Sequence, residues 1–163
     1  MSWWKQHVRG GGLVLATAML AACGGGAVHV PTPVVPTISP PATFMPTTSD
    51  IRTTRVVDLR DGITKTAAFR AATDLLTQKY AVDVSDSKAG FLMTPWQAGS
   101  ARQGAPDFHY RTRVIIRFLG DDWKQASVRA EANWQHDDGW DIGVDTKLLD
   151  DVANDLIARI GKK

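Results

Sequence analysis

A single cysteine, Cys23, stands in the 163 residues, so no intrachain disulfide and no multi-cysteine metal cage can form. Excess charge is lacking too. Of 19 Lys+Arg against 17 Asp+Glu, Lys5 and Arg9 lie in the first 22 residues, and removing them leaves 17 against 17, a net charge of zero. That balance does not argue for a nucleic-acid binder. Long apolar runs are missing as well. The uncharged, mostly apolar N-terminal segment, residues 10–22, would span about 20 Å as a helix, short of a hydrocarbon core of roughly 30 Å. No His-x-x-x-His, nucleophile elbow or glycine-rich phosphate loop occurs.

What is present begins with an N-terminal pattern. Residues 1–9 carry Lys5 and Arg9 without an acid, residues 10–22 are mostly small and apolar, and Leu20-Ala21-Ala22-Cys23 follows. Positive flank, short apolar core and small residues make an export signal over 1–22. The tetrapeptide resembles the lipobox of bacterial lipoproteins, where the chain is cut before a cysteine that is then lipidated. The resemblance implies a diacylglycerol thioether and an amide-linked acyl chain on Cys23. It also implies a cell-envelope location, and with Gly24 where an aspartate would retain the protein at the inner membrane, the outer membrane, with the domain in the periplasm.

From Gly24 to Ser49 no residue carries a formal charge, and six prolines (31, 33, 36, 40, 41 and 46) alternate with Thr, Val and Ser. Residues 23–49 are expected to be a lipidated cysteine and a Pro/Thr-rich spacer with no packed element. Pro31-Thr32-Pro33 and Ser39-Pro40-Pro41 also suit a proline-reading module or glycosylation.

Residues 50–163 have globular patterning. Arg55–Leu59 is a short candidate strand. Residues 64–80 place Ala68, Phe69, Ala72, Leu75, Leu76 and Tyr80 on one side at helical spacing, with Thr64 as cap. Residues 81–85 and 91–94 form a hairpin ended by Pro95. Residues 97–109 have no period and are expected to be a mobile loop. Strict alternation marks strands over 110–118 and 126–135, joined through Gly120–Lys124, with a further strand at Trp140–Val144. Leu148, Leu149, Val152, Leu156 and Ile160 give a closing helix over 147–160, capped by Asp145 or Thr146. The sum is an α+β fold: a two-layer domain with an antiparallel sheet of four or five strands and two helices on one face.

Ala68 to Tyr80, Val82-x-Val84, Gly90-Phe91-Leu92-x-Thr94-x-Trp96 and Arg111-Thr112-Arg113 together resemble the helix-grip domains of envelope lipoproteins such as the C subunit of the β-barrel assembly machinery. This chain has one such domain where that subunit has two. The resemblance therefore implies a fold and no binding residues.

For chemistry, Asp107, His109, His136, Asp137, Asp138 and Asp141 are the titratable candidates, none at a metal-ligand spacing. Ser85, Ser87, Ser100 and Ser127 lie in no nucleophile motif. The expectation is no enzyme, no metal and no cofactor. Arg111, Arg113, Arg117 and Arg129 are expected on one sheet face. They suit acidic groups such as lipid A phosphates, peptidoglycan carboxylates or a partner's acidic surface, or else a solvated face paired to Glu131. Trp134 falls on the apolar parity, whereas Trp96 and Trp123, beside loops and turns, are expected in a partner-facing patch. The reading is a non-enzymatic binding or assembly-accessory module, anchored through Cys23, with an envelope protein partner and no nucleic acid. The alternative is a small-ligand carrier for lipid or peptide, using a groove between helix and sheet.

Overall fold

The longest regular element is a hairpin of β6 (Ala105–Leu119) and β7 (Gln125–His136), antiparallel with register from Tyr110↔Trp134 to Leu119↔Gln125. Alternation of apolar and polar residues fixes that register, because a slip of one residue would send every core side chain to the wet face. The computed structural model describes residues 39–47, 53–102, 105–136 and 139–162, with the backbone alone for 100–102 and 105–107. The expected signal segment, Cys23 and most of the spacer lie outside the described residues, as do Asp137 and Asp138.

Each long strand is flanked by two short ones. Along β7, β2 (Arg55–Asp58) pairs the first residues and β8 (Gly139–Asp145) the last, with β1 (Phe44–Pro46) outside β8. Along β6, β4 (Phe91–Met93) pairs the C-terminal part and β5 (Gln97–Arg102) the N-terminal part, with β3 (Val84–Asp86) outside β4. Among the described residues the sheet has eight strands, all antiparallel, rather than the expected four or five. The ladder ends at Pro95, as expected. Beside it the buried Thr94 hydroxyl accepts from the backbone N–H of Val114 at 2.9 Å.

Two strands correct the sequence reading. The expected loop over 97–109 is instead β5 and the start of β6. Gln97-Ala98-Gly99 has no hydrophobic alternation, so its pairing comes from the backbone ladder, with register shifts on both sides of Gly99. Gly99 itself lies under the Tyr110 ring, where a Cβ would collide. The second is β1, within the stretch expected to hold no packed element. Phe44 is buried beside Tyr110, Ala132 and Trp134, edge-on to Tyr110 at 6.0 Å, and Thr47 N–H donates to the Ile142 carbonyl at 2.9 Å. The folded unit thus starts upstream of residue 50. Pro46 is tolerated because β1 is an edge strand.

Both helices bury into one core on one face of the sheet. α1 (Lys65–Lys79) is capped by Thr64, whose hydroxyl accepts from Ala67 N–H at 3.2 Å, and it buries Ala68, Ala72, Leu75 and Leu76. α2 (Thr146–Ile160) buries Leu149, Val152, Ala153, Leu156 and Ile160. Val114, Ile116, Phe118, Ala126, Val128 and Ala130 come up from the sheet to meet them. The alanines of α1 permit close approach, and the ion pair Lys79–Asp155 at 2.7 Å links the two helices at the surface.

Gly143 decides whether β1 docks. A Cβ there would overlap the Met45 carbonyl oxygen and the Phe44 ring. Gly143→Ala is expected to cost on the order of 1–3 kcal/mol through overpacking. Hydrogen exchange reads it: the Thr47 amide should lose its protection while the β6–β7 amides keep theirs.

Candidate binding face

Among the described residues, the second face of the sheet carries no helix. Its rows follow from register: Arg111 opposite Asn133, Arg113 opposite Glu131, Ile115 opposite Arg129 and Arg117 opposite Ser127. On β8, Ile142 continues the Asn133 row and Trp140 the Gln135 row, and Met45 on β1 lies beside Val144. All four arginines therefore do share one face.

Two of them stack with two tryptophans, and a third, Arg129, joins through Glu131. The Arg111 guanidinium lies 4.1 Å from the Trp140 ring centroid and 4.9 Å from that of Trp96, and Arg113 lies 4.6 Å from Trp96. Arg113 Nε then donates to Glu131 at 2.6 Å, and Glu131 also meets Arg129 at 3.2 Å. Guanidinium planes on indole faces gain cation–π attraction, about 0.5–1 kcal/mol each when exposed and more when desolvated. The Asn133 amide, oriented by its neighbours, accepts from Arg111 Nη2 at 3.2 Å and donates to the Ala132 carbonyl at 2.9 Å. Arg111 Nε is buried with no hydrogen-bond partner among the described residues. The Arg113–Glu131 pair is a cross-strand ion pair of the expected kind and Arg129–Glu131 lies along β7, so Glu131 accounts for only two of the four arginines.

Apolar side chains border this stack. Ile142 is 67% exposed, and Met45 and Trp140 are also exposed. Farther along the same face lie Val56, in the Ser127 row, and Val84, in the Met93 row. Arg117 stands in the row of Phe91, solvent-exposed and apart from the stack.

The remaining candidates separate. Trp123 does not face a partner, which corrects the expectation: it is 8% exposed and stacked on Phe118 at 4.7 Å. Its positive φ of 50° folds the indole back into the core, under Phe69 and close against Gly90. Trp134 is buried with Phe44 and Tyr110, as its parity indicated. His136 and Asp141 meet across the β7–β8 pair at 3.2 Å, while His109 lies near Trp134, 6.3 Å between centroids. The side chains of Asp107, Asp137, Asp138 and Ser100 lie outside the described residues. Ser85 and Ser87 are exposed on β3 and its turn, and Ser127 is half-buried on β7. Among the described residues no three His, Cys, Asp or Glu side chains gather as metal ligands.

The helix–sheet interface is filled: Leu76, Ile116, Leu156 and Val128 are fully buried within it. A cleft of about 990 Å³ lies elsewhere, at the loop end, lined by Asp58, Asp61, Asp121, Asp122, Lys124 and Lys162 among others. It is polar, and Asp61 and Asp122 face Lys162 and Lys124 at 3.5 and 3.6 Å. Such solvated pairs contribute little.

One buried polar knot joins three elements and escaped sequence reading. The Asp145 carboxylate accepts from the Tyr110 hydroxyl at 2.7 Å, the Thr43 hydroxyl at 3.1 Å and the Leu148 backbone N–H at 2.9 Å. Burial, and then the hydrogen bond to Asp145, push the Tyr110 phenol well above its ordinary value of 10. A raised pKa means that the folded protein holds this proton more tightly than the unfolded chain does. Its stabilisation is therefore complete below pH 10 and is lost as pH rises beyond it. Tyr110→Phe should make the alkaline limb of a denaturation profile shallower above pH 10. It should also cost roughly 1–2 kcal/mol at pH 7. Tyr80, raised chiefly by burial, keeps the limb from vanishing.

The fold and site define an α+β domain with one helix-covered face and one open face of stacked arginine and tryptophan. No family model matches the chain, and no curated protein sequence matches it.

Proposed function

We propose that the chain is a membrane-anchored envelope lipoprotein, acylated at Cys23, whose domain is a non-enzymatic binding or assembly-accessory module working through the open sheet face. The observation that carries this is the Trp140–Arg111–Trp96–Arg113 stack on the face the helices leave uncovered. Arginine and tryptophan held rigidly beside exposed aliphatics are the residue types that dominate protein interfaces. The carrier reading needs an open groove between helix and sheet, and fully buried leucines and valines occupy that place. The anchor half rests on Leu20-Ala21-Ala22-Cys23, and the likeness to helix-grip domains supports the architecture alone. No helix among the described residues is long and apolar enough to cross a membrane. Because β1 belongs to the sheet, the stretch left for a spacer is shorter than residues 24–49.

Affinity purification of the full-length tagged chain from detergent-solubilised envelopes tests the binding half. The same envelope protein should return in independent preparations at stoichiometric yield. Recovery of none overturns the module reading.

A further inference from the structure

Resting on that reading, we infer that the open face takes an acidic segment of a protein partner, with a carboxylate on the N–H edge of Arg111 and apolar side chains over Trp140, Ile142 and Met45. Arg111 is the anchor because its requirements are unmet among the described residues. Both indoles occupy its neighbourhood on the ring side, so what its planar cation still offers is its edge of N–H donors. One donor meets the Asn133 amide, Nε is buried without a partner and out of a ligand's reach, and Arg111 makes no ion pair with a carboxylate among the described residues, so the half-buried side chain offers its terminal Nη donors. A guanidinium edge is a fork matched to a carboxylate.

Charge complementarity sets the class of partner. Among the described side chains of the stack, Arg111, Arg113 and Arg129 against Glu131 give three minus one, a local charge of +2. A membrane surface is held by clusters of about four to eight cations, and nucleic acid by a similar series of phosphate contacts; +2 suits one or two carboxylates. A second copy of this chain is a poor occupant, since its own face would bring the same cations and a Glu131 already shared by two arginines. The apolar border then explains selectivity for protein over a free anion: Ile142, Met45 and Trp140 need side chains to cover them. The stack is also preformed, which lowers the ordering cost of binding.

Selection of random displayed peptides on the full-length chain in a neutral detergent tests this. Enriched peptides should carry Asp or Glu beside apolar residues. A synthetic representative should lose at least tenfold in affinity when its acid becomes the amide, or when the protein carries Arg111→Gln, and less than twofold with Arg117→Gln. On the unsubstituted chain the same peptide should shift the methyl signals of Met45 and Ile142 and leave Ile157, on α2, in place, a readout independent of any variant's folding. Enriched peptides without acids, affinity indifferent to Arg111→Gln, or shifts at Ile157 alone would overturn the inference. So would binding of phosphatidylglycerol vesicles, lost with Arg111→Gln, where no peptide binds. An envelope partner recovered alongside such a result leaves the module reading standing; failure to recover any partner removes that reading as well.

Discussion

Asp145→Ala should lower the unfolding free energy by about 3 kcal/mol, since a cap of about 1 kcal/mol is lost and a buried hydroxyl is left unpaired at about 1–3 kcal/mol. In a domain of this size that is a fall in Tm of roughly 10–15 °C. The size follows from how many elements one carboxylate joins. Asp145 is 8% exposed, ends β8, caps α2 through Leu148 N–H, and holds β6 through Tyr110 and the approach to β1 through Thr43. Alanine removes all three contacts and leaves the Tyr110 hydroxyl facing an apolar wall of Phe44, Ala132 and Trp134. Asp145→Asn keeps an oxygen for the cap and should cost about half as much. Asp150, by contrast, pairs with Arg55 at 2.6 Å with both side chains about half exposed, and Asp150→Ala should cost under about 1 kcal/mol. Thermal unfolding of the three variants checks the order. An Asp145→Ala loss no larger than that of Asp150→Ala would show that the knot contributes nothing.

Under the proposed anchor, Cys23→Ser abolishes metabolic labelling with palmitate and moves the protein from the membrane to the soluble fraction. The effect is all-or-none because a serine hydroxyl cannot form the thioether, and the chain has no second cysteine to substitute. One acyl chain binds a bilayer only marginally, whereas two or more hold it stably, at about 0.8 kcal/mol per buried CH₂. Labelling of both proteins to the same extent would contradict acylation at Cys23.

The central architecture was legible because β6, β7 and both helices carry long periodic patterns: Val114, Ile116 and Phe118 at period two, and Leu149, Val152 and Leu156 at helical spacing. The strands that were missed lack a pattern of their own. β5 pairs through its backbone along β6, and β1 contributes three residues, of which only Phe44 is buried, inside a proline-rich stretch. Trp123 was misplaced because strand parity does not extend through a turn, and a left-handed residue there reverses the direction of the side chain. The arginine face was legible as a parity on one strand. The stack was not, because Trp96 and Trp140 reach Arg111 from chain segments on either side of β6, and only the strand order brings them there. The Asp145 knot was hidden for the same reason: its partners Thr43 and Tyr110 are 102 and 35 residues away in sequence.

The central claim is that the working surface is the face the helices leave bare. Photo-crosslinking in living cells tests it most directly, with a benzophenone amino acid placed at Ile142 on the open face or at Ile157 on α2, both exposed. The account expects one reproducible crosslinked envelope protein from position 142 and none from 157. Crosslinking from 157 with none from 142 would contradict it.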